Sequence, residues 1–315
     1  MNGRTELRLG MRLRIASMVA AGVLAVSACT GAGASPASDG RKTIVVTYSV
    51  LGAVVKDLVG DAAIVRVLMP NGADPHEWQP SAKDIETLTK ADLLVENGLG
   101  LEGGMGNALT QAEAAGVKRF VAGDHVTVRR VGSGEGANPG DPDQAPGAED
   151  PHLWMDPLTV RDAMDALAGQ LKRDLGVDVT ARAKDLDARL STLNDEVTSI
   201  LAVIPEARRI LVTGHESLGY FAQRYTLRLI GAIIPSLTTS AEPSAADLAS
   251  LAEKIRAANV PAIFTELGTS PAVAKAIGSE TGAKVVELTT HALPDDGLYG
   301  TFLKNIATLI ADNLR

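Results

Sequence analysis

The sequence predicts an α/β protein made of two lobes, each a parallel sheet flanked by helices, with one long helix joining them. Three observations predict this. From residue 43 short β-branched runs alternate with longer stretches of helical periodicity, the pattern of βαβ units. The alternation occurs twice, on either side of a long amphipathic stretch near the middle of the chain. The length of 315 residues suffices for about two domains at roughly 100–200 residues each.

Taken in order, the first half places strands at 43–48, 64–69, 92–96 and 118–122, with helices at 50–59, 82–90 and 105–115 between them. Residues 131–151, rich in Gly, Pro, Asp and Glu and without Lys or Arg, break the pattern and read as an acidic loop. A helix follows over about 160–175. A longer one spans about 180–203, on which Leu186, Leu190, Leu193, Val197, Ile200 and Leu201 keep three-to-four spacing until Pro205 ends it. The second half places strands at 209–213, 227–230, 262–265 and 284–288, with helices at 217–224, 245–258, 271–281 and 299–314. The resulting division is a lobe over 43–179, a linking helix over 180–204 and a second lobe over 205–315. Ligands of open α/β sheets sit beyond the carboxyl ends of the strands, so a site between the lobes draws on the loops there.

Composition narrows the function. Apolar residues at 45% and charged residues at 22% are ordinary soluble usage, which argues against bulk disorder and against a polytopic membrane protein. Aromatic residues at 3% disfavour a stacking platform for single-stranded nucleic acid. The formal charge of −8 understates the acidity of the body, because Arg4, Arg8, Arg12 and Arg14 lie in the first segment. An acidic body repels nucleic-acid phosphates and is compatible with a cationic ligand.

The first 28 residues read as an export signal, with Arg12 and Arg14 ahead of an uncharged stretch over 15–28 that is too short to span a bilayer. Met11 is an alternative start. The stretch ends Val26-Ser27-Ala28-Cys29, so the one cysteine of the chain stands at the expected cleavage point. This arrangement resembles a bacterial lipobox, which implies lipidation of Cys29. Two or more acyl chains anchor stably, and the small, polar residues over 29–42 suit a flexible tether. A single cysteine also leaves no intrachain disulfide.

Of five histidines, four lie where a strand or loop gives way to the next element. His76 and His152 each sit in an Asp-Pro-His-x-Trp pentapeptide, Asp74–Trp78 and Asp150–Trp154, using both tryptophans of the chain. Proline fixes the turn before each imidazole, and Trp78 and Trp154 stand ready to shield it from water. His215 follows the run Ile210-Leu211-Val212-Thr213-Gly214, and His291 follows the last strand. Two histidines from each lobe suit a borderline cation such as Zn(II), held tetrahedrally at about 2.0–2.1 Å. Asp295 and Asp296 are alternatives to His291 as the fourth donor, and Glu266 is a candidate to orient an imidazole. His125 has no partner motif and reads as a surface or hinge residue.

DPHEWQPSAKDI, DPHLWMDP, VTGHESLGYFAQRY and VVELTTHALPDDGLY together resemble the metal-binding component of zinc and manganese ABC importers, in order, from residue 43 to the C-terminus. The resemblance implies two four-stranded lobes bridged by one long rigid helix, with the metal in the cleft between them. It places the first three ligands on His76, His152 and His215. The fourth, usually a carboxylate in this family, falls on His291. Manganese-selective members typically carry a carboxylate at the third position, so His215 argues for Zn2+, with Mn2+ or iron as the alternative. The loop over 131–151 occupies the place of a histidine-rich loop in zinc-type members but holds no histidine. Any capture there would rest on Glu135, Asp141, Asp143, Glu149 and Asp150.

The implied protein is a monomeric carrier, lipid-anchored on the extracytoplasmic face of the cell membrane, that delivers metal to a membrane permease and does not bind nucleic acid. A long bridging helix implies motion at the level of loops. The alternative of another class is a secreted zinc hydrolase using Glu216 as base, but no H-E-x-x-H helix or G-x-S-x-G elbow is present. A haem or siderophore receptor is disfavoured by the scarcity of aromatic residues, and nothing in the residues separates adhesion from uptake.

Overall fold

The computed structural model describes residues 40–132 and 145–315. The export segment, Cys29, most of the tether, and Glu135, Asp141 and Asp143 lie outside the described residues. Strands β1 (Thr43–Val46), β2 (Ile64–Val67), β3 (Leu93–Glu96) and β4 (Lys118–Val121) form one parallel sheet in the order β2-β1-β3-β4. Strands β5 (Ile210–Thr213), β6 (Arg228–Ala232), β7 (Ala262–Thr265) and β8 (Lys284–Glu287) form another in the order β6-β5-β7-β8, again parallel. The same topology is thus used twice. Central strands β3, β5 and β7 are buried throughout, as unbroken apolar runs covered on both faces should be, whereas edge strands β2 and β8 keep exposed residues.

The helices are α1 (Ser49–Val59), α2 (Ala82–Thr89), α3 (Gly106–Ala114), α4 (Pro157–Gln170), α5 (Thr180–Leu201), α6 (Gly219–Arg224), α7 (Ala245–Ala258), α8 (Pro271–Thr281) and α9 (Tyr299–Leu314). Their starts are written in local chemistry. Ser81 with Asp84 and Ser244 with Asp247 form reciprocal capping boxes at α2 and α7. Pro157 and Pro271 open α4 and α8, where a missing N–H costs nothing. Asn259 and Gly282 close α7 and α8 in the left-handed conformation.

Helix α5 stands between the two sheets in chain order and buries Leu186, Leu190, Leu193, Val197 and Leu201. That stripe belongs to one continuous apolar cluster that also holds Ile44 of β1, Leu51 of α1, Leu167 of α4, Phe302 and Ile306 of α9, and Leu218 and Phe221 from the second half. The lobes therefore share a core. A smaller cluster of Val212, Ile230, Leu251, Ile255, Ile263 and Ile277 fills the second sheet's contact with α7 and α8. Among the described residues no helix is long and apolar enough to cross a membrane.

Candidate metal centre

In each sheet the connections diverge at the centre, between β1 and β3 and between β5 and β7, which opens a crevice beyond the carboxyl ends of the strands. Loops after β2, β5 and β8, together with the turn before α4, bring His76, His215, His291 and His152 there. All four are buried, and their ligand atoms lie within 4.8 Å of one another. His152 Nε2 stands 3.3 Å from His76 Nε2 and 3.2 Å from His215 Nε2. A tetrahedron with metal–nitrogen distances of about 2.0–2.1 Å has edges of about 3.3–3.4 Å. Asp295 and Asp296 are exposed, and Asp296 accepts from the Leu298 N–H, so His291 is the residue that joins the cluster. Glu216, although buried, is not part of it.

The repeated Asp-Pro-His sequence is explained by the aspartate. Asp74 Oδ1 accepts from the His76 N–H and Asp150 Oδ1 from the His152 N–H, each at 3.0 Å. These are Asx-turns with proline fixing the middle residue. Both aspartates then do more. Asp74 Oδ2 accepts from Thr239 Oγ1 of the second half at 2.7 Å. Asp150, fully buried, holds His152 Nδ1 at 2.8 Å through Oδ1 and Arg129 at 3.0 Å through Oδ2.

Glu266, at the end of β7, serves the second lobe in the same way. Its carboxylate lies 3.0 Å from His215 Nδ1 and accepts from Ser217 Oγ at 2.7 Å and Thr290 Oγ1 at 2.5 Å. Thr290 Oγ1 in turn stands 3.0 Å from His291 Nδ1, so one carboxylate backs two imidazoles. Gly214 permits this approach, since a Cβ there would collide with Thr269 Oγ1 and press on Glu266 Cγ.

With Nδ1 of His152 and of His215 turned to carboxylates, the Nε2 lone pairs face one another across the cleft. Burial and the crowding of the other imidazoles hold His76 well below the ordinary histidine range, and burial and His215 bring His291 down to about 3. Burial also lowers His152, against the pull of Asp150. For His215 the opposing effect of burial is outweighed by Glu266, which raises it. Glu266 itself drops to about 2: burial pushes it up, but the attraction and hydrogen bond of His215, the charge of His291 and the Thr290 hydroxyl together outweigh it.

Trp154, fully buried, packs its ring 5.3 Å from that of His152 and 5.8 Å from that of His291. Trp78 does otherwise: it is half-buried and packs against the main apolar core. The two pentapeptides look equivalent in sequence, but the second forms a 3-10 turn over Leu153–Met155 that drives its indole inward. His125 is exposed and stacks on Phe120 at 4.6 Å, away from the cluster. At the ends of the acidic loop, Glu149 pairs with Arg130, and Asp150 is committed to Arg129 and His152.

A cavity of about 380 Å³ leads from solvent to His76, walled by Leu99, Gly100, Glu149, Pro151 and Thr238. Its rim turns through Gly98, Leu99 and Gly100, all at positive φ, a path that requires the glycines and strains Leu99. Glu102 ties this rim down, accepting from the N–H groups of Asn97 and Gly98 and from Thr47 Oγ1. Burial raises Glu102 to about 7 against those hydrogen bonds.

Fold and site together define a two-lobed α/β binding protein with a closed set of nitrogen donors in its cleft. Residues 44–313 match the family described as ZnuA, zinc-uptake complex component A, periplasmic, and the chain belongs to that family. The zinc-binding protein TroA of Treponema pallidum (strain Nichols) is 29% identical over 318 residues, covering 94% of this chain and 98% of the relative. The manganese ABC transporter substrate-binding lipoprotein PsaA of Streptococcus anginosus is 27% identical over 289 residues, covering 88% and 89%. A solved structure of the periplasmic zinc-binding protein TroA from Treponema pallidum superposes with a TM-score of 0.75 at 26% identity, covering 87% of this chain and 99% of that one.

Proposed function

We propose that this chain captures a divalent transition metal outside the cytoplasm, zinc in preference to manganese, and delivers it to the permease of an ABC importer. The observation that carries the reading is His152 Nε2 lying 3.3 Å from His76 Nε2 and 3.2 Å from His215 Nε2, close to a tetrahedral edge length, with carboxylates behind two of the rings. His76, His152, His215 and His291 are the ligands in this reading, and Asp150 and Glu266 orient them. An all-imidazole set suits a borderline ion over a hard one, which supports zinc. Four protein donors around one ion leave no open position for a reacting water, which supports a carrier over a hydrolase.

The remaining parts of the reading rest on sequence and kinship. Residues 1–28 direct export, lipidation of Cys29 anchors the chain to the extracytoplasmic face, and residues 29–42 tether a monomeric body. That body comprises lobes over 43–179 and 205–315 joined by the helix over 180–204. The relatives named as ABC transporter substrate-binding lipoproteins support the anchor and the permease partner.

Metal analysis of the chain after equilibration with equal zinc and manganese tests the proposal. We expect about one zinc per chain and little manganese. Manganese preference would overturn the choice of metal, and no bound metal would overturn the carrier.

Protons compete for the same lone pairs, since imidazole ligates only when neutral. In the metal-free site His215, held above its ordinary value by Glu266 despite burial, takes up a proton first, while His291 at about 3 resists. Zinc affinity should therefore fall as pH drops from about 7.5 to 5.5, by roughly tenfold per unit for one displaced proton. Titration calorimetry across that range reads it, and a flat profile would contradict it.

A further inference from the structure

The segment from Thr289 to Leu298, between β8 and α9, carries His291; the Thr290 hydroxyl holds it to Glu266 of the second half, and further polar ties reach the first lobe. Asn71 Nδ2 donates to the Leu293 carbonyl at 2.9 Å, and the Leu293 N–H donates back to Asn71 Oδ1 at 2.8 Å. The side-chain amide thus engages one residue's backbone as a neighbouring strand would. Trp154 Nε1 donates to the Thr290 carbonyl at 3.1 Å, and Ser49 Oγ to the His291 carbonyl at 3.4 Å. Behind the segment lies a cavity of about 300 Å³ against α9, bordered by Ala292, Leu293, Pro294, Phe302 and Ile306. Beyond Thr290, which Glu266 holds, the segment is fastened in front and has room to move behind.

His291 is also held differently from His152 and His215. Those rings rest directly on buried carboxylates, whereas His291 Nδ1 rests on the hydroxyl of Thr290, its neighbour in the same segment. The position of His291 therefore follows the position of the segment. Asn71 lies upstream of His76 in the loop after β2, so its amide ties the loop of one donor to the loop of another. Neither a carboxylate nor an aliphatic side chain could both donate and accept in this way.

We infer that Asn71 is a positioning residue whose paired hydrogen bonds to Leu293 latch His291 into the cluster, and that this latch sets how fast the metal leaves. The inference rests on the carrier reading above. Breaking the latch frees the segment to retreat toward α9 with His291, which leaves the other three imidazoles in place. Metal then departs from a three-coordinate site.

The test measures zinc dissociation from the whole chain by stopped-flow with excess chelator, for the wild type, Asn71→Ala, His291→Ala and the double variant. Two neutral hydrogen bonds near the surface correspond to a rate increase of about tenfold for Asn71→Ala, within roughly five- to a hundredfold. In the His291→Ala background, Asn71→Ala should change nothing further, because the residue acts through His291. The cobalt(II) absorption of saturated Asn71→Ala should match the wild type, showing four nitrogen donors. An unchanged rate in Asn71→Ala, or the same factor in both backgrounds, overturns the latch. A wild-type chain that binds no zinc overturns the carrier reading itself, a result separate from either.

Discussion

Replacing His215 by alanine should weaken zinc binding by about 10²–10³-fold. Structural zinc sites contribute roughly 10–16 kcal/mol, so one ligand of four carries about 3–4 kcal/mol, and each 1.4 kcal/mol is about tenfold. The loss falls at the heart of the cluster, because His215 Nε2 is 3.2 Å from His152 Nε2 and its Nδ1 is held by Glu266. Removing the ring also takes from Glu266 the neighbour that keeps it near 2. Competition against a chromophoric chelator measures the change. A loss below about threefold would mean that His215 does not ligate.

The second large effect belongs to a residue that touches no metal in the proposed site. Asp150→Ala takes a buried carboxylate away from Arg129, whose side chain is only 6% exposed and lies against Gly219 of the second half. Breaking a buried pair from one side costs about 3–5 kcal/mol. For a chain of this size that lowers the melting temperature of the metal-free protein by about 10 °C. His152 also loses the carboxylate on Nδ1, which should cost a further 10–100-fold in zinc affinity. Asp150→Asn separates the two effects in part: its one acceptor oxygen can serve Arg129 or the His152 N–H but not both, so the melting temperature should recover a share of the loss while the affinity does not. Scanning calorimetry and the chelator assay together decide it, and equal losses in both variants would argue against the assignment.

Much of this architecture is legible in the sequence because its signals are local. The capping serines at Ser81 and Ser244 and the three-to-four stripe of α5 lie within a few residues of what they specify. The misplacements have local causes too. The helix expected over 160–175 begins at Pro157, capped by Asp156, and passes into a π-type turn over Leu171–Leu175 before Gly176. Strand β6 runs on to Ala232 because Gly231 adopts positive φ beside a register shift against β5.

In the site, the histidines were legible from the repeated pentapeptide and from their places after strands. The aspartate that opens each pentapeptide was the available signal for the Asx-turns, and it points equally to His76 and His152. The contacts that tell the two copies apart were not legible. Asp150 finds Arg129, and Asp74 finds Thr239, only once distant parts of the chain have met. The pairing of Asn71 with Leu293 is of the same kind. No spacing in a single sequence encodes it.

The placement of α9 bears on how the chain reaches this state. Phe302, Ile306 and Ile310 of the last helix lie in the same apolar cluster as Ile44 of β1 and Leu51 of α1, so the two ends of the described chain complete one core. Contacts of such long sequence separation must meet the entropy of closing a large loop before they reward it, which slows folding. The first lobe cannot finish its own interior as it emerges, because that interior is completed by α9. Completion of the shared core then waits for the C-terminal helix, whereas the smaller cluster against α7 and α8 draws on residues 210–283 alone and can form before it.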